Sequence, residues 1–170
     1  MPEFRIRDAV IEIPRGSCLV DTNILVSRFL ERDERHQVAE EVMEFICEEV
    51  GTPLVPTAVA VETWGMLVGR EKSRSSGLAF VKWLTGSDDV VVIPGWHGLV
   101  VDAELISNRM YVDLVDAILI RLAEMMTEEC ELSPAMVIAT FDTGDFFKCF
   151  RGVTSPKLRI YNANTLELYP

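Results

Sequence analysis

The chain has 170 residues, 49% of them hydrophobic, and its 16 basic and 27 acidic residues leave a formal net charge of −11. That length suits one domain with its own core, and so hydrophobic a composition excludes a disordered chain. The negative charge excludes nucleic-acid binding over most of the surface, and no stretch of about 20 apolar residues is present to span a bilayer.

The N-terminus is charged and lacks an apolar run, so it does not read as a signal peptide, and a soluble, cytoplasmic protein is expected. Cys18, Cys47, Cys130 and Cys149 have neither metal nor redox spacing. Most of them sit in apolar patterns, where cysteine behaves as a small hydrophobe. A single domain over residues 1–170 is expected, opening on a short extended arm at 1–16 that ends at Pro14 and Gly16.

Cys18-Leu19-Val20 reads as a buried strand that runs into Asp21-Thr22-Asn23, and a short helix over 24–30 follows. Val38, Val42, Phe45, Ile46 and Val50 share one face of a helix over 36–50, which Gly51 closes. A second strand covers 53–55. The next helix, 56–68, has Thr57 as its expected cap, and another covers 78–84. Val90 to Ile93 is a third strand, followed by helices over 99–106 and 112–126. Fourth and fifth strands cover 136–139 and 158–161. Near-continuous apolar strands alternating with helices indicate a parallel sheet covered on both faces.

Several acids stand where an ordinary solvated face does not explain them. Asp21 ends the first strand, at the carboxyl edge where open α/β sheets place their ligands, although one Asp there is also a good helix cap. Glu62 interrupts a helix of small and apolar residues, and an unpaired buried charge is costly. Asp113 and Asp116 are spaced to share a helix face, Asp113 also suiting a first-turn charge. Asp142 follows the strand Val137-Ile138-Ala139-Thr140, and Asp145 comes three residues later.

Leu19-Val20-Asp21-Thr22-Asn23-Ile24-Leu25, the Glu62 helix, Asp116-Ala117-Ile118-Leu119-Ile120 and Thr140-Phe141-Asp142-Thr143-Gly144-Asp145-Phe146-Phe147 together resemble the PIN-domain ribonucleases. The nearest likeness is to the toxin ribonucleases of type II toxin–antitoxin modules. The resemblance implies a PIN-like three-layer α/β/α fold, with a five-stranded parallel sheet of order 3-2-1-4-5. It also implies a ribonuclease that uses Mg²⁺ or Mn²⁺ to hydrolyse single-stranded RNA, leaving 5′-phosphate and 3′-hydroxyl ends. By match to the motifs, Asp21, Glu62, Asp116 and Asp142 form the catalytic, metal-binding quartet. Asp145 is a further candidate ligand and Asp113 an accessory acid. An antitoxin partner and a homodimer are implied in the same way. Phe141 departs from the pattern, which more often has a polar or basic residue there.

Mg²⁺ prefers hard oxygen ligands, and a cluster of acids could hold one or two such ions. Asn23 and Thr140 are candidates to orient a ligand or a water, while Thr22 and Asn23 are equally suited to capping the helix. For substrate phosphates the nearest cations in sequence are Arg28, Lys148 and Arg151. Gly95-Trp96-His97-Gly98 lacks a second suitable histidine and does not read as a zinc site. His36 is expected to be exposed, and Trp64 and Trp83 to be core or dimer contacts. A haloacid-dehalogenase-type phosphatase would need a second Asp where Asn23 stands. The alternative in a different class is a non-catalytic PIN-like module that binds RNA or protein.

Overall fold

The computed structural model describes residues 3–6, 9–12, 16–129, 136–144, 146, 159–165 and 167–169. The N-terminal segment is a two-stranded antiparallel hairpin, β1 (Glu3–Ile6) with β2 (Ala9–Glu12), where an extended arm is expected. The strand Cys18–Val20, β3, is fully buried and leads into helix α1 (Thr22–Phe29). Helix α2 (His36–Phe45) continues through a π-helical turn, Ile46–Val50, into β4 (Pro53–Pro56). Helix α3 (Thr57–Trp64) also ends in a π-helical segment, Gly65–Arg70. Then follow α4 (Arg74–Gly86), β5 (Val91–Ile93), α5 (His97–Met110), α6 (Leu114–Glu129), β6 (Val137–Thr140), β7 (Arg159–Asn162) and β8 (Glu167–Tyr169).

The main sheet has the order β5-β4-β3-β6-β7-β8. Its first five strands are parallel, which is the expected order 3-2-1-4-5, and β8 adds a sixth, antiparallel to β7. Helices cover the sheet in a three-layer α/β/α arrangement. β3 is central because its side chains can only be buried: Leu19 and Val20 are 0% exposed, as are Leu54, Ile138 and Ala139 on the neighbouring strands. The strand order reverses between β3 and β6, which both start from the middle of the sheet. Their carboxyl ends therefore diverge around a crevice, the usual ligand position in such sheets.

Two glycines are fixed by close approach. Gly16 has φ +75°, and a Cβ there would lie 1.9 Å from the Val50 carbonyl oxygen, so only glycine lets the chain enter β3 beside the end of the π turn. A Cβ on Gly77 would lie 2.5 Å from Val68 Cγ2 and 3.1 Å from the Trp64 ring, which lets α4 pack closely on the end of α3.

Some local expectations are corrected. Thr57 does not cap α3; Pro56 occupies that position, and the Thr57 hydroxyl donates to the Ile93 carbonyl at 3.0 Å instead. Helix α6 begins at Leu114, so Asp113 precedes it. His36 is half-buried, its Nδ1 lying 3.0 Å from the Ser27 carbonyl oxygen. Among the described residues no helix is long and apolar enough to cross a membrane.

Candidate active site

The site is built around the end of β3. The Asp21 amide donates to the Ala139 carbonyl at 3.0 Å, which fixes the start of α1 against the last residues of β6. Asp21 is the N-cap of α1, with extended backbone (φ −78°, ψ 154°), and its Oδ1 accepts from the Thr22 amide at 2.6 Å. Its other oxygen accepts from the Thr140 hydroxyl at 2.7 Å and from Asn23 Nδ2 at 2.6 Å. The cap is Asp21 itself, not Thr22 or Asn23.

Those two residues bind distant segments of the same chain, Asn23 in addition to Asp21. The Thr22 hydroxyl donates to Glu62 Oε2 at 2.6 Å, bringing the α3 carboxylate to the end of β3. Asn23 Nδ2 also lies 3.2 Å from Thr140 Oγ1, and Asn23 Oδ1 accepts the Phe141 amide at 3.1 Å. Thr140 Oγ1 in turn accepts the Asp142 amide at 2.9 Å, and Asp142 Oδ1 accepts the Gly144 amide at 3.2 Å. One hydrogen-bonded frame thus joins Asp21, Thr22, Asn23, Glu62, Thr140 and Asp142 across chain segments far apart in sequence.

Asp113 is the cap of α6: its Oδ1 accepts the amides of Val115 at 2.8 Å and Asp116 at 2.9 Å. Asp116 lies in the first turn of α6 and is half-buried. Asp145, Lys148 and Arg151 lie outside the described residues.

Asp21 is 4% exposed, and its carboxyl group is pushed up to about 7. Burial is the largest cause. The hydrogen bonds from Thr140 and the Thr22 amide pull the other way, and the charges of Glu62 and Asp113 push it further up. Among the described residues no ion pair involves Asp21, Glu62, Asp113 or Asp142. A desolvated carboxylate facing like charges, with no cation beside it, has the chemistry of a cation site, and every donor is a hard oxygen suited to Mg²⁺ or Mn²⁺. Among the described residues no three or more His, Cys, Asp and Glu side chains come together in a group that could hold a metal ion.

Arg28 does not face the acids. It lies in the last turn of α1, its guanidinium carbon 5.1 Å from the Trp83 ring centroid and 5.5 Å from that of Phe29. Burial lowers its pKa, against the charges of Cys47, Glu40 and Glu44. Three residues beside the site carry no sequence signal of their own. Asn164 Nδ2 donates to the Phe141 carbonyl at 2.7 Å and reaches Asn162 Oδ1 at 3.2 Å. Arg35 lies over the Phe141 ring, 5.3 Å from its centroid. An Asn-x-Asn turn after the last parallel strand is the only hint of the first two, and nothing in sequence links Arg35 to Phe141.

No curated protein sequence matches the chain. Three solved structures share the fold. The sarcin-ricin loop cleaving toxin VapC20 of Mycobacterium tuberculosis has a TM-score of 0.58 at 18% identity, covering 76% of this chain and 93% of that one. FitAcB from Neisseria gonorrhoeae has a TM-score of 0.57 at 14% identity, covering 88% and 99%. A toxin–antitoxin complex from Klebsiella pneumoniae has a TM-score of 0.53 at 16% identity, covering 83% and 94%. The PIN domain profile matches residues 18–149, the same span that carries the Asp21, Glu62 and Asp142 frame. The chain belongs to the PIN domain family.

Proposed function

We propose that the chain is a ribonuclease that uses Mg²⁺ or Mn²⁺ to hydrolyse phosphodiester bonds of single-stranded RNA, and that it is the toxin of a toxin–antitoxin pair. Membership of the PIN family supports the reaction class. Likeness to a toxin that cleaves the sarcin-ricin loop and to a toxin–antitoxin complex supports the biological role. The observation that carries the reading is Asp21, a buried carboxylate fixed by three hydrogen bonds and facing two other acids.

Asp21 and Glu62 would hold the ion, with Asp142, Asp116 and Asp113 supplying further negative charge around it. A divalent ion bound there supplies Lewis-acid polarisation of the phosphate and neutralises developing charge. The chain's own contribution is orientation. Asn23 and Thr140 fix one oxygen of Asp21 and favour its ionised form, opposing the effect of burial. Thr22 sets the Glu62 carboxylate. The acids, in turn, repel the RNA backbone until a cation neutralises them, so binding and metal loading are coupled.

The test is cleavage of a mixed single-stranded RNA in Mn²⁺, Mg²⁺ or EDTA. Cleavage is expected with metal alone, and Asp21→Asn, Glu62→Gln and Asp142→Asn should each lower it by about 10²- to 10³-fold while keeping the fold. Equal cleavage in EDTA or by Asp21→Asn overturns the reading. RNA binding without cleavage in any metal would favour the non-catalytic module. An antitoxin should cover the acidic cleft with a basic side chain, and a homodimer is expected in solution. Co-purification from native cells with a small basic protein tests the first and sedimentation the second.

A further inference from the structure

A protein of net charge −11 needs a place to hold a polyanion beside a cluster of acids. Several of the arginines in view are committed elsewhere. Arg32 pairs with Glu71 at 3.2 Å, Arg121 pairs with Asp102 and Glu124 at 3.0 and 3.4 Å, and Arg28 is packed on Trp83. Arg35 differs. It is exposed, and among the described residues it pairs with no carboxylate. Its guanidinium sits on the ring of Phe141, the residue between Thr140 and Asp142.

Both halves of this contact are held in place. Phe141 is 5% exposed; its amide is bound by Asn23 and its carbonyl by Asn164. The Arg35 amide donates to Asp33 Oδ1 at 2.8 Å, and the Arg35 carbonyl accepts from Ala39 at the start of α2. Since Asn23 also binds Asp21, the path from guanidinium to buried carboxylate runs through one ring and one amide side chain. A guanidinium stacked on an aromatic face keeps its edge donors free, and those donors match the oxygens of a phosphate. Phe141 thus supplies a platform for the guanidinium.

We propose that Arg35, docked on Phe141, is a positioning residue that grips a backbone phosphate of the single-stranded RNA beside the scissile one. The inference rests on the ribonuclease reading. It gives an acidic protein a cation beside its acids with which to hold the substrate.

The experiment compares wild type with Arg35→Gln, Arg35→Lys, Phe141→Leu and a control, Lys82→Gln, which removes an exposed cation on α4. Steady-state cleavage of labelled single-stranded RNA is measured in Mn²⁺ over a range of salt. Binding of the same RNA is measured by anisotropy in Ca²⁺, which neutralises the acids, with cleavage followed in parallel so that only intact RNA is scored. Arg35→Gln should raise KM about tenfold with kcat within about twofold, and lower the slope of log KM against log salt by about 0.7. Arg35→Lys should recover part of the loss, Phe141→Leu should fall between, and Lys82→Gln should match wild type. Metal-dependent cleavage with an unchanged KM in Arg35→Gln, or a loss confined to kcat, overturns the inference and leaves the nuclease reading intact. Weaker RNA binding by Arg35→Gln when wild type does not cleave would keep the phosphate grip and remove the nuclease. If wild type neither binds nor cleaves RNA, both fail.

Discussion

Asp21 caps a helix and is also a buried acid, and the two roles have opposite consequences for stability. As a cap it should stabilise α1 by about 1 kcal/mol. As an ionised group in a dry site it is penalised, which is why its carboxyl group titrates near 7 in the fold against 3.8 in the unfolded chain. Below about pH 4 both states are protonated and the penalty vanishes. As pH rises to about 7 the unfolded state gives up its proton first, so the fold loses stability, on the order of 4 kcal/mol for this one group. In EDTA at pH 8, Asp21→Asn should therefore melt at or above wild type, and the difference should close toward pH 4. Wild type melting clearly higher at pH 8 would mean that capping outweighs burial. Added Mn²⁺ should raise only the wild type, by about 2.7 kcal/mol at a hundred times the dissociation constant. Asn23→Ala should act differently, since it removes the contacts to Asp21, Thr140 and the Phe141 amide. A loss of about 1–3 kcal/mol in urea denaturation and about 10- to 100-fold in cleavage is expected. At this scale the sequence is legible where acids and small polar groups follow a strand: Asp21, Asn23, Thr140 and Asp142 all stand at strand ends. Arg28 is misread because nearness in sequence says nothing of direction. Seven residues of helix carry it roughly 10 Å along the axis, away from Asp21.

Among the elements, α6 separates the two aspartates that a three-residue spacing makes look alike. Asp113 is the cap and Asp116 occupies the first turn. Asp113→Ala should cost about 1 kcal/mol of stability, whereas Asp113→Asn keeps an acceptor and should be nearly neutral. Asp116→Asn should lower cleavage more than Asp113→Asn, and equal negligible losses would take Asp116 out of the site. Gly77→Ala forces a methyl group against Val68 and the Trp64 ring, and should destabilise by about 1–3 kcal/mol in thermal melts. The parallel strands are readable because each is an apolar run between turn residues. Their order is not readable from any run alone and follows from the family resemblance. The strand β8 and the N-terminal hairpin escape such a reading because both are short and mix charge with apolar residues. The π turns that end α2 and α3 escape it too, since the same apolar spacing serves an ordinary helix.

For the whole molecule, the charge of −11 is spread over ordinary helix faces, yet the strands turn a few of those acids toward one edge. A basic partner that covers this edge would neutralise it and shield Asp21 from solvent. Melting temperature should then rise with partner concentration, by an amount that falls as salt is added. The hydrogen bond between Thr140 and Asp21 joins residues 119 apart. The central strand β3 likewise finds its β6 neighbour only once residues 137–139 have been made. On a ribosome adding about 5–20 residues per second, a nascent chain would spend several seconds with Asp21 already synthesised and Thr140 not yet present. A chain stalled or cut short ahead of residue 137 would lack Thr140 and Asp142 of the frame around Asp21, so an incomplete product should be unable to cleave the RNA around it. Activity would begin only once Thr140 and Asp142 have been made.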